Sequence, residues 1–205
     1  KKSNGDFSEY NSQIIRREGK IAEVLKQKSK PYNVSVDVSS FEEWEPEYFF
    51  KTSFIFSATA FHWIDYNVRY KKCHDLLKEK GYLVLLWNIA PEIKIPAVKK
   101  AYDLLWEYYP EKRKAQNDNV DIKNQRKLEI INSGYFTLED YLDYKWNLTQ
   151  TREKFTKGFF SQSSFLSLEK EKQKSLSVKI VELFRGLDEV IETDFYTTVY
   201  ITRKK

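Results

Sequence analysis

Residues 54–65 read FIFSATAFHWID, and residues 82–88 read YLVLLWN. Each stretch begins with a short continuous apolar run, which is typical of a parallel strand covered on both faces by helices. Residues 67–78 lie between the two runs and carry apolar side chains at helical spacing, with Lys80 and Gly81 as a stop signal. The order strand, helix, strand predicts a right-handed crossover within a parallel sheet.

The segments on either side extend this pattern. Residues 33–38 alternate valine with polar residues and predict a strand with one solvated face, while residues 19–28 and the segment opened by Pro96 predict helices. Residues 142–148 and 195–201 alternate with period two, which is typical of half-buried strands. We therefore expect a doubly wound, mostly parallel α/β sheet that ends in an antiparallel pair of strands.

Composition and charge restrict the class of protein. The chain has 205 residues, of which 41% are hydrophobic and 32% charged, so we expect one folded domain over residues 1–205. The net charge of +5 is mild and the charges alternate in sign, which favours solvated helices over a nucleic-acid groove. An RNA-binding protein or RNA methyltransferase remains an alternative that rests on this basic excess alone.

Cysteine, histidine and hydropathy bear on metal sites and on the compartment. The single cysteine, Cys73, excludes a disulfide within the chain and a cysteine-rich zinc site, and the two histidines lack metal-ligand spacing. We therefore expect no bound metal. No apolar run has the length of a membrane span, and no signal peptide is visible, so we expect a cytoplasmic protein without a membrane partner.

The residues that follow the first apolar run carry the clearest chemistry. Ligands of open α/β sheets bind at the carboxyl ends of strands. Ser57, Ala58 and Thr59 are small enough for a ligand to approach the backbone, and His62 can exchange a proton near neutral pH. Aromatic residues flank His62 on both sides, as is usual for an apolar cofactor pocket.

These segments resemble a known enzyme family. Residues 40–44 (SFEEW), 54–65, Arg69-Tyr70 and 76–88 look like the class I S-adenosylmethionine-dependent methyltransferases, most of all the trans-aconitate-methyltransferase-like subgroup. The strong match covers about residues 33–88. The resemblance implies a Rossmann-like, seven-stranded sheet whose last two strands are antiparallel, with a helical cap and substrate-side insertions within residues 95–170.

The resemblance also implies roles for individual residues. S-adenosylmethionine would be the cofactor. Glu18 would bind its ribose, and Ser40 and Phe41 would contact its adenine. Ser57, Ala58 and Thr59 would lie beside its methionine portion. His62 would be the catalytic residue, and Phe61 and Trp63 would bind a small-molecule substrate.

Several of these residues have plainer interpretations. His62 could be a general base, a donor that orients the acceptor, or a ring bonded to backbone at a strand end. Phe61 and Trp63 could serve packing alone. The aromatic residues of segment 97–165 could line an acceptor site, although a core beneath the cap is the favoured interpretation; they are Trp106, Tyr108, Tyr109, Phe159 and Phe160.

One family feature is not visible. The family begins with a strand and a glycine-rich loop of the form E-x-G-x-G-x-G, and nothing before residue 33 shows it. No methionine occurs in the chain either, which favours the interpretation that segments of the natural protein are missing from this sequence. The sequence predicts S-adenosylmethionine-dependent methyl transfer to a small molecule; the alternative is an inactive, methyltransferase-like binding module. It specifies neither the acceptor nor the oligomeric state.

Overall fold

A computed structural model describes residues 12–16, 19–46, 51–89, 94–110 and 121–205. Its first half alternates strands with helices, and these are β1 (Ser12–Arg16), α1 (Gly19–Ser29), β2 (Val34–Val38), β3 (Thr52–Ala58), a 3₁₀ turn (Phe61–Trp63), α2 (Tyr66–Leu76) and β4 (Leu77–Ile89). Its second half consists of helices and two long strands, in the order α3 (Pro96–Trp106), α4 (Ile122–Asn132), β5 (Phe136–Thr151), α5 (Arg152–Phe160), α6 (Ser163–Leu166), α7 (Lys170–Arg185) and β6 (Val190–Lys204).

The strands form two sheets rather than one. β1 and β2 pair in parallel, and a separate four-stranded sheet has the order β3-β4-β6-β5. Within the larger sheet β3 and β4 are parallel, whereas β6 is antiparallel to both β4 and β5. The α/β class is therefore confirmed, and the antiparallel C-terminal strands are present.

The prediction of a single seven-stranded sheet does not describe what is seen. Among the described residues, β3 is hydrogen-bonded to a neighbour along one edge only, so the sheet does not continue from β3 to the β1–β2 pair. The two faces of β3 are also less covered than expected, since Phe54 and Phe56 each remain about half exposed. The neighbouring strand β4 fits the expectation better, because Leu83, Leu85 and Trp87 are buried.

The connection between α2 and β4 is shorter than the sequence predicted. The helix ends at Leu76 and the strand begins at Leu77, so Gly81 lies inside β4 instead of closing the helix. Lys80 adopts a left-handed backbone with φ of 62°. A Cβ atom at Gly81 would lie 2.8 Å from the carbonyl oxygen of Lys78, a distance that only glycine allows.

Two hydrophobic clusters hold the fold together. The first joins α2 and α4 to the larger sheet through buried residues that include Tyr70, Leu77, Leu85, Ile130 and Tyr200. The second lies among α3, α5, α6 and α7, where the apolar side chains of the helices meet; it includes Leu105, Phe159, Phe165, Ile180 and Phe184. Within the described residues, no helix combines the length and the apolar character that crossing a bilayer requires.

Candidate active site

The carboxyl ends of β3 and β4 lie side by side because the two strands are parallel neighbours. The chain leaves β3 through Thr59, whose φ of 56° is uncommon for a β-branched residue and bends the backbone away from the sheet. The Thr59 amide donates to the carbonyl oxygen of Leu86 at 2.7 Å, which fixes the bend against β4. The 3₁₀ turn follows at once, so His62 stands at this edge of the sheet.

Arg69 of α2 holds this turn in place. Its Nη1 donates to the carbonyl oxygens of Phe61 and Ile64, each at 3.3 Å, and these two carbonyls bracket His62. Its Nη2 forms an ion pair with Oε1 of Glu129 on α4 at 2.5 Å. The hydroxyl of Tyr70 donates to the same oxygen at 2.6 Å. The backbone around His62 is thus tied to two helices by a buried guanidinium.

The tautomer of His62 follows from its contact with Trp87. The indole Nε1–H of Trp87 lies 3.1 Å from Nδ1 of His62. An indole nitrogen only donates, so Nδ1 must be the unprotonated, accepting nitrogen and the proton of the neutral ring resides on Nε2. The ring therefore presents an N–H donor, and not a free lone pair, on the side away from Trp87.

The surroundings of His62 also oppose its protonation. Partial burial of the ring lowers the pKa of His62 below the ordinary histidine value, and the positive charges of Arg126 and Arg69 lower it further. The negative charge of Glu129 acts in the opposite direction but is the weakest of these influences. These influences together favour the neutral form of the His62 ring.

A cavity of about 160 Å³ opens in front of this turn. Phe61, His62, Arg69 and Trp87 form one side. The helix α4 forms the other side, and it contributes Ile122, Gln125, Arg126 and Glu129. The cavity thus combines aromatic walls with a small number of charged groups, as ligand-binding pockets commonly do.

Sequence reasoning missed the helix α4 and with it half of the cavity. A signal was present, because Asp121 caps the helix by accepting from the amides of Lys123 and Asn124, each at 3.1 Å. Aspartate followed by Ile122, Arg126 and Ile130 at spacings of four is a helix-start pattern with one face directed inward.

Arg126 occupies an unusual position in the cavity wall. Its guanidinium carbon lies 4.1 Å from the centre of the Trp87 ring, a close cation–π contact. Its Nη1 is buried and has no hydrogen-bond acceptor among the described residues. A buried, unpaired donor of this kind is energetically costly, and binding sites are where such donors are expected.

Only some of the predicted site residues reach the cavity. Phe61 and His62 line it, and Phe61 is buried against Tyr70 with ring centres 5.1 Å apart. Trp63 is 67% exposed and does not line it, although its ring centre lies 5.0 Å from that of His62. The three small residues Ser57, Ala58 and Thr59 sit at the carboxyl end of β3, outside the cavity wall.

The other predicted cofactor contacts follow β2. The hydroxyl of Ser40 donates to Glu43 at 3.1 Å, and Phe41 packs against the first hydrophobic cluster. Lys72 of α2 places its Nζ 5.4 Å from the ring centre of Phe41 and donates to the carbonyl oxygen of Trp44. This loop is therefore anchored to the same helix as the His62 turn. Glu18 lies outside the described residues.

The aromatic residues of the cap belong mainly to the second hydrophobic cluster. Phe159 is buried there, and Trp106, Tyr109 and Phe160 pack around it. The Tyr109 hydroxyl donates to the carbonyl oxygen of Ser164 at 2.6 Å. Packing therefore accounts for these residues, and none of them lines the cavity beside His62. The described residues contain no group of three or more His, Cys, Asp and Glu side chains placed to hold a metal ion.

Comparisons with known proteins show a shared fold. No protein-family model and no curated protein matches the chain. Among solved structures, the chain is similar to the YcgJ protein of Bacillus subtilis, with a TM-score of 0.54 and 15% identity over 97% of this chain and 85% of the other. It is also similar to the MccD protein, with a TM-score of 0.52 and 14% identity over 95% and 80% of the two chains.

A third similar structure carries a functional assignment. It is a protein from Anaeromyxobacter dehalogenans provisionally assigned as a type II methyltransferase, with a TM-score of 0.54 and 10% identity over 96% of this chain and 92% of the other. At these identities the likeness concerns the fold alone. The chain thus shares the fold of that protein, and its chemistry depends on its own residues.

Proposed function

We propose that this protein is an enzyme that transfers a methyl group from S-adenosylmethionine to a small-molecule acceptor. The observation that carries the proposal is the position of the cavity: it opens where the parallel strands β3 and β4 end, and His62 and Trp87 stand in its wall. Open α/β sheets bind their ligands at this edge. The shared fold with a protein assigned as a methyltransferase supports the same chemistry.

The residues present are compatible with the cofactor. Ser57, Ala58 and Thr59 offer small side chains at the carboxyl end of β3, and the left-handed Thr59 turns the chain away so that the backbone edge there is approachable. Phe41 adds an aromatic surface after β2. We propose that these residues, with Ser40 and Glu18, hold S-adenosylmethionine. When bound, it would supply a methyl group on a sulfonium, whose sulfur keeps the bonding electron pair as a thioether after transfer.

His62 would orient the acceptor and not deprotonate it. The lone pair of Nδ1 already accepts from Trp87, and Nε2 carries the proton. A hydrogen bond from Nε2–H can hold an acceptor oxygen in line for transfer, and alignment of this kind is a large part of catalysis by proximity. Phe61 would exclude water from this position, and Trp63, exposed beside His62, would contact the substrate from the outer side. Arg69 would keep the turn that carries His62 rigid through the carbonyls on either side of it.

Other features of the architecture are also proposals. We propose that residues 1–205 act as one domain, with residues 95–170 as the cap over the acceptor side. We propose as well that the β1–β2 pair and the four-stranded sheet, which together supply six strands among the described residues, belong to one doubly wound, seven-stranded sheet. Such a sheet requires parallel neighbours in this part of the chain, and β1 pairs in parallel with β2 as β3 does with β4.

Calorimetric titration with S-adenosylhomocysteine tests the proposed function. We expect saturable heat and an increase in thermal midpoint, which follows when a ligand binds only the native state. The second candidate is a methyltransferase-like binding module without activity, favoured by the missing glycine-rich motif. Absence of both heat and thermal shift would contradict the enzyme and leave the binding module as the better description.

A further inference from the structure

We propose that the cavity between the His62 turn and α4 binds the methyl acceptor as an oxygen anion, held by the guanidinium of Arg126 and the Nε2–H of His62. That the bound anion is a methyl acceptor rests on the proposed function, whereas the anion site itself rests on the geometry of the cavity. The shared chemistry is a negatively charged oxygen on a planar group, which carboxylates and phenolates both supply.

Among the described residues, one cation of the cavity wall has no ion-pair partner. Arg69, Arg126 and Glu129 are the charged residues of its wall. Oε1 of Glu129 accepts from both Arg69 and Tyr70, at 2.5 and 2.6 Å, so this carboxylate is engaged on the side of α2. The positive charge of Arg126 is not matched by an ion pair within the described part of the chain. One negative charge in the cavity would neutralise the excess positive charge of its wall.

Arg126 is restrained by the β4 residue Trp87. Its guanidinium carbon lies 4.1 Å from the centre of the buried Trp87 ring, and this cation–π contact limits the motion of the side chain. A fixed guanidinium loses little freedom when it binds, and its fork of N–H donors matches two oxygens of a carboxylate or one phenolate oxygen.

The tautomer of His62 also favours an oxygen anion as the methyl acceptor. Because Nδ1 is occupied by Trp87, the ring has no lone pair with which to remove a proton from a neutral hydroxyl. An oxygen anion needs no base. Its own lone pair would form the new bond to the methyl carbon, the carbon–sulfur pair would remain on sulfur, and the charges of anion and sulfonium would cancel without any proton transfer.

Binding of matched probes to the purified chain tests the inference without cofactor. Benzoate is compared with benzamide, which has nearly the same shape and no charge, and 4-nitrophenolate is compared with 4-nitroanisole. Affinities come from calorimetry, and the His62 ring is followed by nitrogen NMR. We expect the anion of at least one pair to bind at least tenfold more tightly than its neutral partner and to shift the Nε2 signal. The pair that shows the larger ratio distinguishes a carboxylate from a phenolate site.

Three arginine variants locate the site. Arg126→Gln should weaken anion binding at least tenfold, and Arg126→Lys, which keeps the charge, should restore part of it. Arg185→Gln is the matched control, because Arg185 is an exposed residue of α7 far along the chain from the cavity, and it should bind as the wild type does. Circular dichroism and the thermal midpoint establish that each variant is folded.

The outcomes separate this inference from the proposed function. Equal affinity for anion and neutral probe, no binding of either anion, or unchanged binding by folded Arg126→Gln and Arg126→Lys would overturn the anion site. If S-adenosylhomocysteine binds and the anions do not, the proposed function stands and this inference falls. If the anions bind and S-adenosylhomocysteine does not, the anion site stands and methyl transfer falls.

Discussion

The indole N–H of Trp87 donates to the unprotonated Nδ1 of His62 across 3.1 Å. Trp87 is buried in β4, and His62 is only partly buried, on the turn after β3. A rigid strand residue thus determines which nitrogen of a neighbouring imidazole carries the proton. The contact exists because β3 and β4 are parallel and end at the same edge of the sheet.

The first prediction concerns this tautomer. Trp87→Phe removes the indole donor but keeps an aromatic ring in the core, so Nδ1 loses its partner and the neutral ring should become a mixture of the two tautomers. Nitrogen NMR of labelled histidine measures the populations directly. Trp146→Phe is the matched control, since the Trp146 indole donates to Thr197 at 2.9 Å and not to a histidine. A single unchanged tautomer in Trp87→Phe would contradict the assignment.

The second prediction concerns the pKa of His62. Partial burial and the charges of Arg126 and Arg69 lower it, so the His62 ring should titrate below the ordinary histidine value. Arg126→Gln removes one of these charges and should raise the pKa, whereas Arg185→Gln should leave it unchanged. Proton NMR titration measures this, and because the chain has two histidines, His74→Gln assigns the signals. An equal pKa in the two arginine variants would show that Arg126 does not act on His62.

The same shift has a consequence for stability. A folded state that binds the His62 proton less tightly than the unfolded chain is favoured when the ring is neutral. The contribution of His62 is therefore fully present above about pH 6.5, the unfolded value, and is lost as the pH falls through the lower folded pKa. His62→Gln should flatten this part of the profile of thermal midpoint against pH. A profile identical to that of the wild type would contradict the expectation.

The third prediction concerns the ion pair beneath the turn. Glu129→Gln keeps the shape and one oxygen acceptor but leaves the buried guanidinium of Arg69 without a counter-charge. Because Glu129 is partly exposed, we expect a loss of about 2 kcal/mol in the free energy of unfolding, less than for a fully buried pair. Denaturant unfolding measures it.

Glu153→Gln provides the matched control for that measurement. Glu153 pairs with Lys157 on an exposed face of α5, and its replacement should leave the unfolding midpoint unchanged within error. Equal effects of the two substitutions would show that the Arg69–Glu129 pair contributes no more than a surface pair. A loss in Glu129→Gln alone supports its role in holding the turn.

The fourth prediction compares two glycines. Gly81→Ala places a Cβ atom 2.8 Å from the Lys78 carbonyl oxygen and 3.0 Å from a methyl group of Leu77, so backbone must shift, and we expect a loss of about 1–3 kcal/mol. Gly158→Ala adds a Cβ to α5 where nothing lies within 4 Å, and alanine should stabilise the helix by about 0.5–1 kcal/mol. Thermal and denaturant unfolding measure both, and a stabilising Gly81→Ala would contradict the close approach.

The order of elements around β3 and β4 could be predicted because it rests on local patterns. Continuous apolar runs, alternating runs and helix-start residues are properties of neighbouring positions, and they placed β2, β3, α2 and α3 close to their observed bounds. The segments predicted over residues 142–148 and 195–201 are strands, but they cover only the middle of the longer β5 and β6. The end of α2 was not predicted, because Lys80-Gly81 resembles an ordinary helix stop. The left-handed Lys80 and the contact between Gly81 and Lys78 decide that boundary, and neither is visible in a hydropathy pattern.

By itself, the sequence determined that Phe61 and His62 follow a strand and stand where α/β folds bind ligands, since that depends only on position after a strand. Only the tertiary structure brought Trp87, Arg69, Arg126 and Glu129 to them, from segments up to 67 positions further along the chain (62 to 129). The charge of the cavity and the tautomer of His62 are set by distances between side chains on different elements. Such distances arise when packing joins β4, α2 and α4, and no local pattern of residues contains them.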